Sequence, residues 1–198
     1  MSDAIADAKR ALRAELRERR QLMSQQAMES AAHGIREQLD VLTNELGVQS
    51  MSCFLSTPSE PGTHEFVRGA VERGIRVLLP ITRADGLLDW SVVTDDTSVQ
   101  EGLFGIPEPD GELLGPIAVD DVDLLVIPAA AVDKTGMRLG WGRGYFDKTL
   151  GSMEQRPPVY AVVFDSEFVD AVPQDLHDQP VTGIVTPTRT LTLAPERR

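Results

Sequence analysis

DLLVIP, residues 123–128, sets four consecutive aliphatic side chains between an aspartate and a proline. A strand with one wet face would alternate apolar and polar residues; an unbroken run reads as a strand covered on both sides, as in parallel sheets. IRVLLPI at 75–81 and VYAVVF at 159–164 repeat the pattern. Val48–Leu55 and Leu87–Val93 are further strand candidates, and the turn-rich Ser56–Gly62 and acidic Asp110–Asp123 read as loops. Helical spacing lies between these runs, over Thr63–Arg73, which Gly74 ends, and over Tyr145–Leu150. Strands that alternate with helices need crossover connections. The expectation is a three-layer α/β domain with a mainly parallel sheet and helices on both faces.

Two longer helices precede this unit. Ile5, Ala8, Leu12 and Leu16 share one face of a helix over Ala4–Met23. Ser24 is placed to cap a second helix, in which Met28, Ala31, Ile35, Leu39, Leu42 and Leu46 keep helical phase until Gly47 stops it. No repeat and no long linker divides residues 1–198, so one domain is expected.

The chain carries 19 basic and 31 acidic residues, a net charge of −12. That balance argues against a duplex nucleic-acid partner, which requires a basic surface. No 18-residue apolar run and no leader are read, so neither a membrane span nor a signal peptide is expected. Cys53 stands alone and sits in an apolar strand, which suits a reducing compartment and a core position. A cytoplasmic monomer follows as the expectation. His33, His64 and His177 have no metal-ligand spacing and read as surface residues.

Downstream of DLLVIP comes DKTGMRLGWGRGYFDKTL, residues 133–150. It falls at the carboxyl end of a buried strand, where open α/β sheets bind ligands. Gly140, Gly142 and Gly144 let backbone N–H groups approach an anion, and Gly144 opens a helix whose N-terminus favours negative charge. Arg138 and Arg143 add fixed cations, and Asp147, on the first turn, could hold Mg²⁺ beside a phosphate. The spacing is neither that of a P-loop nor that of a dinucleotide fingerprint. A tight strand-to-helix connection accounts for the glycines equally well. A basic stripe, Lys9, Arg13, Arg17 and Arg20, runs along the first helix. It reads either as a solvated face or as an anion-binding face in an otherwise acidic chain. Asp175 and Asp178 flank Leu176-His177 in a loop, as turn residues or as metal support.

RLGWGRGYFDK at 138–148 resembles the glycine-rich signature of the 5-formyltetrahydrofolate cyclo-ligases, also called 5,10-methenyltetrahydrofolate synthetases. KRALR at 9–13, FLSTPSEPGT at 54–63, FGIPEP at 104–109 and LHDQPVTGIVTP at 176–187 follow the family's order. The resemblance implies a Rossmann-like domain that uses ATP and Mg²⁺ to convert 5-formyltetrahydrofolate into 5,10-methenyltetrahydrofolate, with release of ADP and phosphate. The route it implies is phosphorylation of the formyl oxygen, then attack by N10.

It further implies that Lys9, Arg10 and Arg13 reach the ATP phosphates. Arg138, Leu139, Gly140, Trp141, Gly142, Arg143, Gly144, Tyr145 and Phe146 would form the nucleotide loop. Arg143, Lys9 and Arg13 would stabilise the transferring phosphoryl group. Asp147 and Asp178 would carry the metal. Leu55 and Glu60 would contact the folate, with Trp90, Phe104, Trp141, Gly142 and Tyr145 around it. Three positions depart from the family's commonest pattern. Trp141 stands where Tyr or Arg is frequent, Phe146 replaces the second Tyr of Tyr-Tyr-Asp, and Thr182 replaces an acidic residue. Other classes of function remain open on the residues alone: a non-catalytic folate- or nucleotide-binding module, or a sugar-phosphate isomerase using Glu60 as base.

Overall fold

The computed structural model describes residues 2–193. Helix α1 spans Ser2–Gln21 and α2 spans Gln25–Leu46. The first ends two residues short of the Met23 expected, because Ser24 must be extended (φ −71°, ψ 156°) to cap α2. Its hydroxyl accepts from the Ala27 N–H at 3.2 Å. At the other end Gly47 adopts the left-handed conformation, φ 63°, and its N–H donates to the Asn44 carbonyl.

The remaining elements are β1 (Ser50–Ser52), α3 (His64–Glu72), β2 (Arg76–Thr82), β3 (Leu88–Val92), β4 (Ser98–Glu101), β5 (Pro107–Asp110), β6 (Leu124–Pro128), β7 (Ala131–Asp133), β8 (Arg138–Leu139), α4 (Tyr145–Ser152), β9 (Val159–Val162), β10 (Phe168–Val169), β11 (Gly183–Val185) and β12 (Thr190–Thr192). A seven-stranded sheet runs β12-β11-β9-β6-β1-β2-β3. Its five inner strands are parallel; β3 and β12 pair antiparallel at the two edges.

The unbroken apolar runs are explained by the two cores. Along β6, Leu124 and Val126 face one core and Leu125 and Ile127 the other. Strand β2 divides in the same way, Val77 and Leu79 against Leu78. The first core is closed by Ile35, Leu39 and Leu42 of α2 and by Phe66, Val67 and Ala70 of α3. The second is closed by Leu150 of α4, Met153, and Val119 of a short 3-10 turn at Pro116–Val119. The three-layer α/β architecture is therefore the observed one, with one layer much thinner than the other.

Two small sheets lie outside the sequence expectation: the hairpin β4-β5 and the three-stranded β10-β7-β8. Their strands have two to four residues, too few to show a period. Within the expected loop Asp110–Asp123, Leu114 also bridges Trp90. Helix α1 covers neither face of the main sheet. Its Leu16 packs with Ala130, Ala131, Leu139 and Val172 on the small sheet, beyond the carboxyl ends of the main strands. Among the described residues, no helix is long and apolar enough to cross a membrane.

Cys53 is 1% exposed, and burial pushes its thiol up to about 12. Native protein at pH 8 should therefore resist a disulfide reagent, and a single thiol should appear only on unfolding. Reaction of the native state at the rate of free cysteine would contradict this packing.

Candidate functional site

From β1 the chain crosses through α3 to β2 on one side; from β6 it crosses through α4 to β9 on the other. The segments leaving β1 and β6 thus diverge, and a crevice opens at the carboxyl ends of these neighbours. A cavity of about 680 Å³ occupies it. Phe54, Leu55, Thr57, Ser59 and Glu60, after β1, form one wall, with Pro80 and Thr82 at the end of β2. Pro128, Arg138 and the segment Gly140–Asp147, after β6, form the facing wall.

The glycine segment joins β8 to α4. Gly142 has φ 97° and Gly144 has φ 72°, conformations that strain any residue with a Cβ. A Cβ added at Gly140 or Gly144 would meet no atom within 4 Å, so both glycines leave open space for an incoming group. Gly144 caps α4 without a side-chain bond, so the first-turn N–H groups have no capping side chain. Helix α1 reaches this segment: Arg13 donates from Nε to the Gly140 carbonyl at 2.7 Å. Its guanidinium carbon lies 3.3 Å from where a Gly142 Cβ would stand.

The charges converge on the same place. Arg138 is 3% exposed and donates from Nη1 to Asp147 Oδ1 at 3.0 Å, while its Nε has no partner among the described residues. Burial lowers its pKa, and Asp147 and Asp178 oppose that shift. Lys9 pairs with Asp178 Oδ2 at 2.5 Å, and Asp178 Oδ2 also accepts the Asp175 N–H at 2.7 Å. Asp147 Oδ1 accepts the Gln179 N–H at 3.2 Å as well. Each carboxylate keeps a second oxygen, Asp147 Oδ2 and Asp178 Oδ1, with no hydrogen bond among the described residues. No cluster of three or more His, Cys, Asp or Glu suited to a metal occurs among the described residues. Two carboxylates with spare oxygens suit Mg²⁺, which usually takes one or two protein carboxylates and completes its shell with phosphate and water.

At the other end of the cavity, Glu60 is oriented by its own turn. Thr57 donates to Glu60 Oε2 from N (2.8 Å) and from Oγ1 (3.0 Å), which leaves Oε1 without a partner among the described residues. Phe104 projects from a turn at Leu103–Gly105 with φ 67°, a strained value for an aromatic residue, and is 57% exposed. The Arg143 guanidinium carbon sits 3.2 Å from the centre of its ring. These two side chains come from opposite walls and meet across the cavity. The Tyr145 hydroxyl donates to the Arg83 carbonyl at 3.0 Å.

Not every candidate lies here: Lys9, Arg13 and Asp178 flank the glycine segment and Asp147 without lining the cavity itself. Trp90 is fully buried in the second core, packed away from the cavity, and its indole N–H has no acceptor among the described residues. It belongs to a strand that is buried almost throughout and whose Leu88 does line the cavity, a distinction invisible in an aromatic residue's identity. Leu139 is 1% exposed and packs on Leu16. Arg10 is exposed and pairs with Asp7 on the outer face of α1. Arg17, Gln21, Thr57, Ser59, Pro80, Thr82, Ile106 and Pro107 line the cavity without having been singled out as site residues. Arg17 was visible as part of the basic stripe, and Pro80 and Thr82 follow from their place at a strand's carboxyl end. Thr57 and Ser59 lay within the FLSTPSEPGT landmark, and Ile106 and Pro107 within FGIPEP; for Gln21 there was no local signal.

A mainly parallel sheet with a glycine-rich, cation-flanked cavity at its switch point defines the class: an α/β domain with its crevice at the carboxyl ends of the strands. The chain matches the 5-formyltetrahydrofolate cyclo-ligase family over residues 5–187. The 5-formyltetrahydrofolate cyclo-ligase of Mycolicibacterium smegmatis is 33% identical over 183 residues, covering 90% of this chain and 93% of the relative. The enzyme of the same name from Escherichia coli is 26% identical over 180 residues, covering 88% and 97%. The NMR structure of 5,10-methenyltetrahydrofolate synthetase from Aquifex aeolicus shares the fold with a TM-score of 0.77 at 24% identity, over 96% of this chain and 95% of that one. The chain belongs to the 5-formyltetrahydrofolate cyclo-ligase family, and so to the ligases of folate one-carbon metabolism.

Proposed function

We propose that the chain closes 5-formyltetrahydrofolate to 5,10-methenyltetrahydrofolate at the expense of ATP, with the reacting groups held in the switch-point cavity. The observation that carries this reading is the meeting of the basic opening helix with the glycine segment, through Arg13 Nε and the Gly140 carbonyl at 2.7 Å. A formamide oxygen is a poor leaving group, so N10 cannot expel it unaided. If that oxygen attacks the γ-phosphorus and ADP departs, it is converted into a phosphate ester. N10 then adds to the formyl carbon and loses its proton, and the carbon–oxygen bond breaks with release of phosphate.

Such chemistry asks the protein for position and charge rather than for a nucleophile. Lys9, Arg13 and Arg143 balance the charge on the transferring group, and Arg138 offers its unpartnered Nε from a buried site. The free N–H groups of Gly140–Gly144 and of the first turn of α4 receive phosphate oxygens. Glu60 Oε1 accepts an N–H of the pterin, while Leu55 and Phe104 form apolar walls beside it. Asp147 and Asp178 would hold Mg²⁺, which supplies charge neutralisation across the phosphates. An acidic surface of net charge −12 fits a cytoplasmic monomer acting on a small molecule, with neither nucleic acid nor membrane as partner.

The test is growth of the methenyl product's absorbance band with 5-formyltetrahydrofolate, ATP and Mg²⁺. Folded protein that forms no product with all three present rejects the proposal. Arg143→Ala should retain the wild-type circular dichroism spectrum and lose about 10- to 100-fold in turnover, the worth of one hydrogen bond to a charged group. Unchanged turnover would remove Arg143 from the phosphate side.

A further inference from the structure

Arg20 stands in the same basic stripe as Arg13 and Arg17, yet its side chain is 2% exposed. It donates from Nε to Glu167 Oε1 at 2.6 Å and from Nη2 to Oε2 at 2.8 Å, the fork-to-fork geometry of a guanidinium and a carboxylate. Burial pushes the Glu167 carboxyl up, and Arg20 opposes the shift. Nη2 also reaches the Ala129 carbonyl at 3.2 Å, just past the end of β6, and Nη1 reaches the Ser59 carbonyl at 3.4 Å. The guanidinium carbon lies over the Trp141 ring, 4.7 Å from its centre, and over the Phe164 ring, 5.3 Å from its centre.

Two of those partners, Ser59 and Trp141, line separate walls of one cavity. Ser59 immediately precedes Glu60 in the turn that we assign to the folate. Trp141 lies in the glycine segment that we assign to the phosphates. Ala129 follows the strand between them, and Arg20 itself ends the helix that carries Lys9 and Arg13. Desolvation roughly cancels the attraction in a fully buried ion pair, so apolar residues of the same volume would hold the fold about as well. What the pair adds is direction: a rigid fork whose donors point at several segments at once.

We infer that Arg20 is a positioning residue that couples the two ends of the cavity, so that a folate on the Glu60 side and a nucleotide on the glycine side tighten each other's binding. The inference rests on the folate and nucleotide reading proposed above. Glu167 serves Arg20 and, through Oε2, also accepts the Phe164 N–H at 2.8 Å.

The experiment is calorimetric titration of the full chain with a non-hydrolysable ATP analogue and Mg²⁺, with and without saturating 5-formyltetrahydrofolate. In the wild type, folate should tighten the analogue by about fivefold or more, the usual lower bound for a coupled pair of sites. Arg20→Lys keeps a cation opposite Glu167 but loses the fork, and should reduce that factor to below about twofold. The double substitution Arg20→Met with Glu167→Met, which removes both charges together, should fold and behave like Arg20→Lys. A purely structural role predicts the wild-type factor in any variant that folds. Wild-type coupling in either variant, or no coupling in a wild type that makes product, overturns the inference and leaves the function standing. A wild type that binds no folate overturns both. If neither variant folds, the pair is a strut and the inference falls.

Discussion

Glu167→Ala is expected to destabilise the protein by about 3–5 kcal/mol. The mechanism is a stranded charge. Glu167 and Arg20 have side chains only 3% and 2% exposed, so neither has water to fall back on. Removal of the carboxylate leaves the guanidinium with two carbonyls at 3.2 and 3.4 Å and no counter-charge. The Phe164 N–H loses its acceptor at the same time. Domains of ordinary stability hold about 5–15 kcal/mol in total, so the loss is a large share. For a chain of this length it corresponds to a fall in melting temperature of roughly 6–20 °C. Thermal denaturation followed by circular dichroism reads it directly. Glu167→Gln should cost less, since the amide oxygen can still accept from Phe164 or Arg20. A fall of less than about 3 °C for the alanine variant would mean that water reaches the pair, against its observed burial.

Arg13→Ala should have the largest effect on activity, lowering kcat/KM by about 10²–10³-fold with little loss of stability. Arg13 has two tasks that one substitution removes together. Its Nε holds the Gly140 carbonyl, which sets the path of the glycine segment. The rest of the guanidinium stands against Gly142, beside the open space that phosphate would fill. Burial lowers the pKa of Arg13 and its neighbour Arg17 adds to that effect, while Asp178 and Asp147 oppose it. Arg13→Lys retains the charge and loses the fork, and should recover only part of the rate. Steady-state kinetics at saturating folate, with ATP varied, separates the contributions. A decrease of less than about threefold for the alanine variant would move the phosphates away from α1.

Local signals were legible where local physics decides the outcome. Ser24 and Gly47 bound α2 because a cap requires an acceptor and a left-handed residue at fixed offsets, whatever surrounds them. Gly142 and Gly144 were readable for the same reason, since both occupy positive φ. Trp90 was not, because a large aromatic residue in a strand suits a ligand and a core equally, and only pairing with β2 and Leu114 selects the core. The hairpin β4-β5 was missed although its turn carries Phe104, because four-residue strands leave no pattern to count.

By itself, the order of residues determined which segments are buried on both faces, where α2 starts and stops, and which loop takes backbone conformations open to glycine. These follow from periodicity and from backbone conformations available to few side chains. Only the tertiary structure decided that Arg17 lines the cavity while Arg20, three positions on, is buried against Glu167, 147 residues away. Along the helix the two arginines are chemically identical. Burial of a charge depends on a partner brought up by the sheet's long crossovers, and nothing within a helical turn of Arg20 announces it.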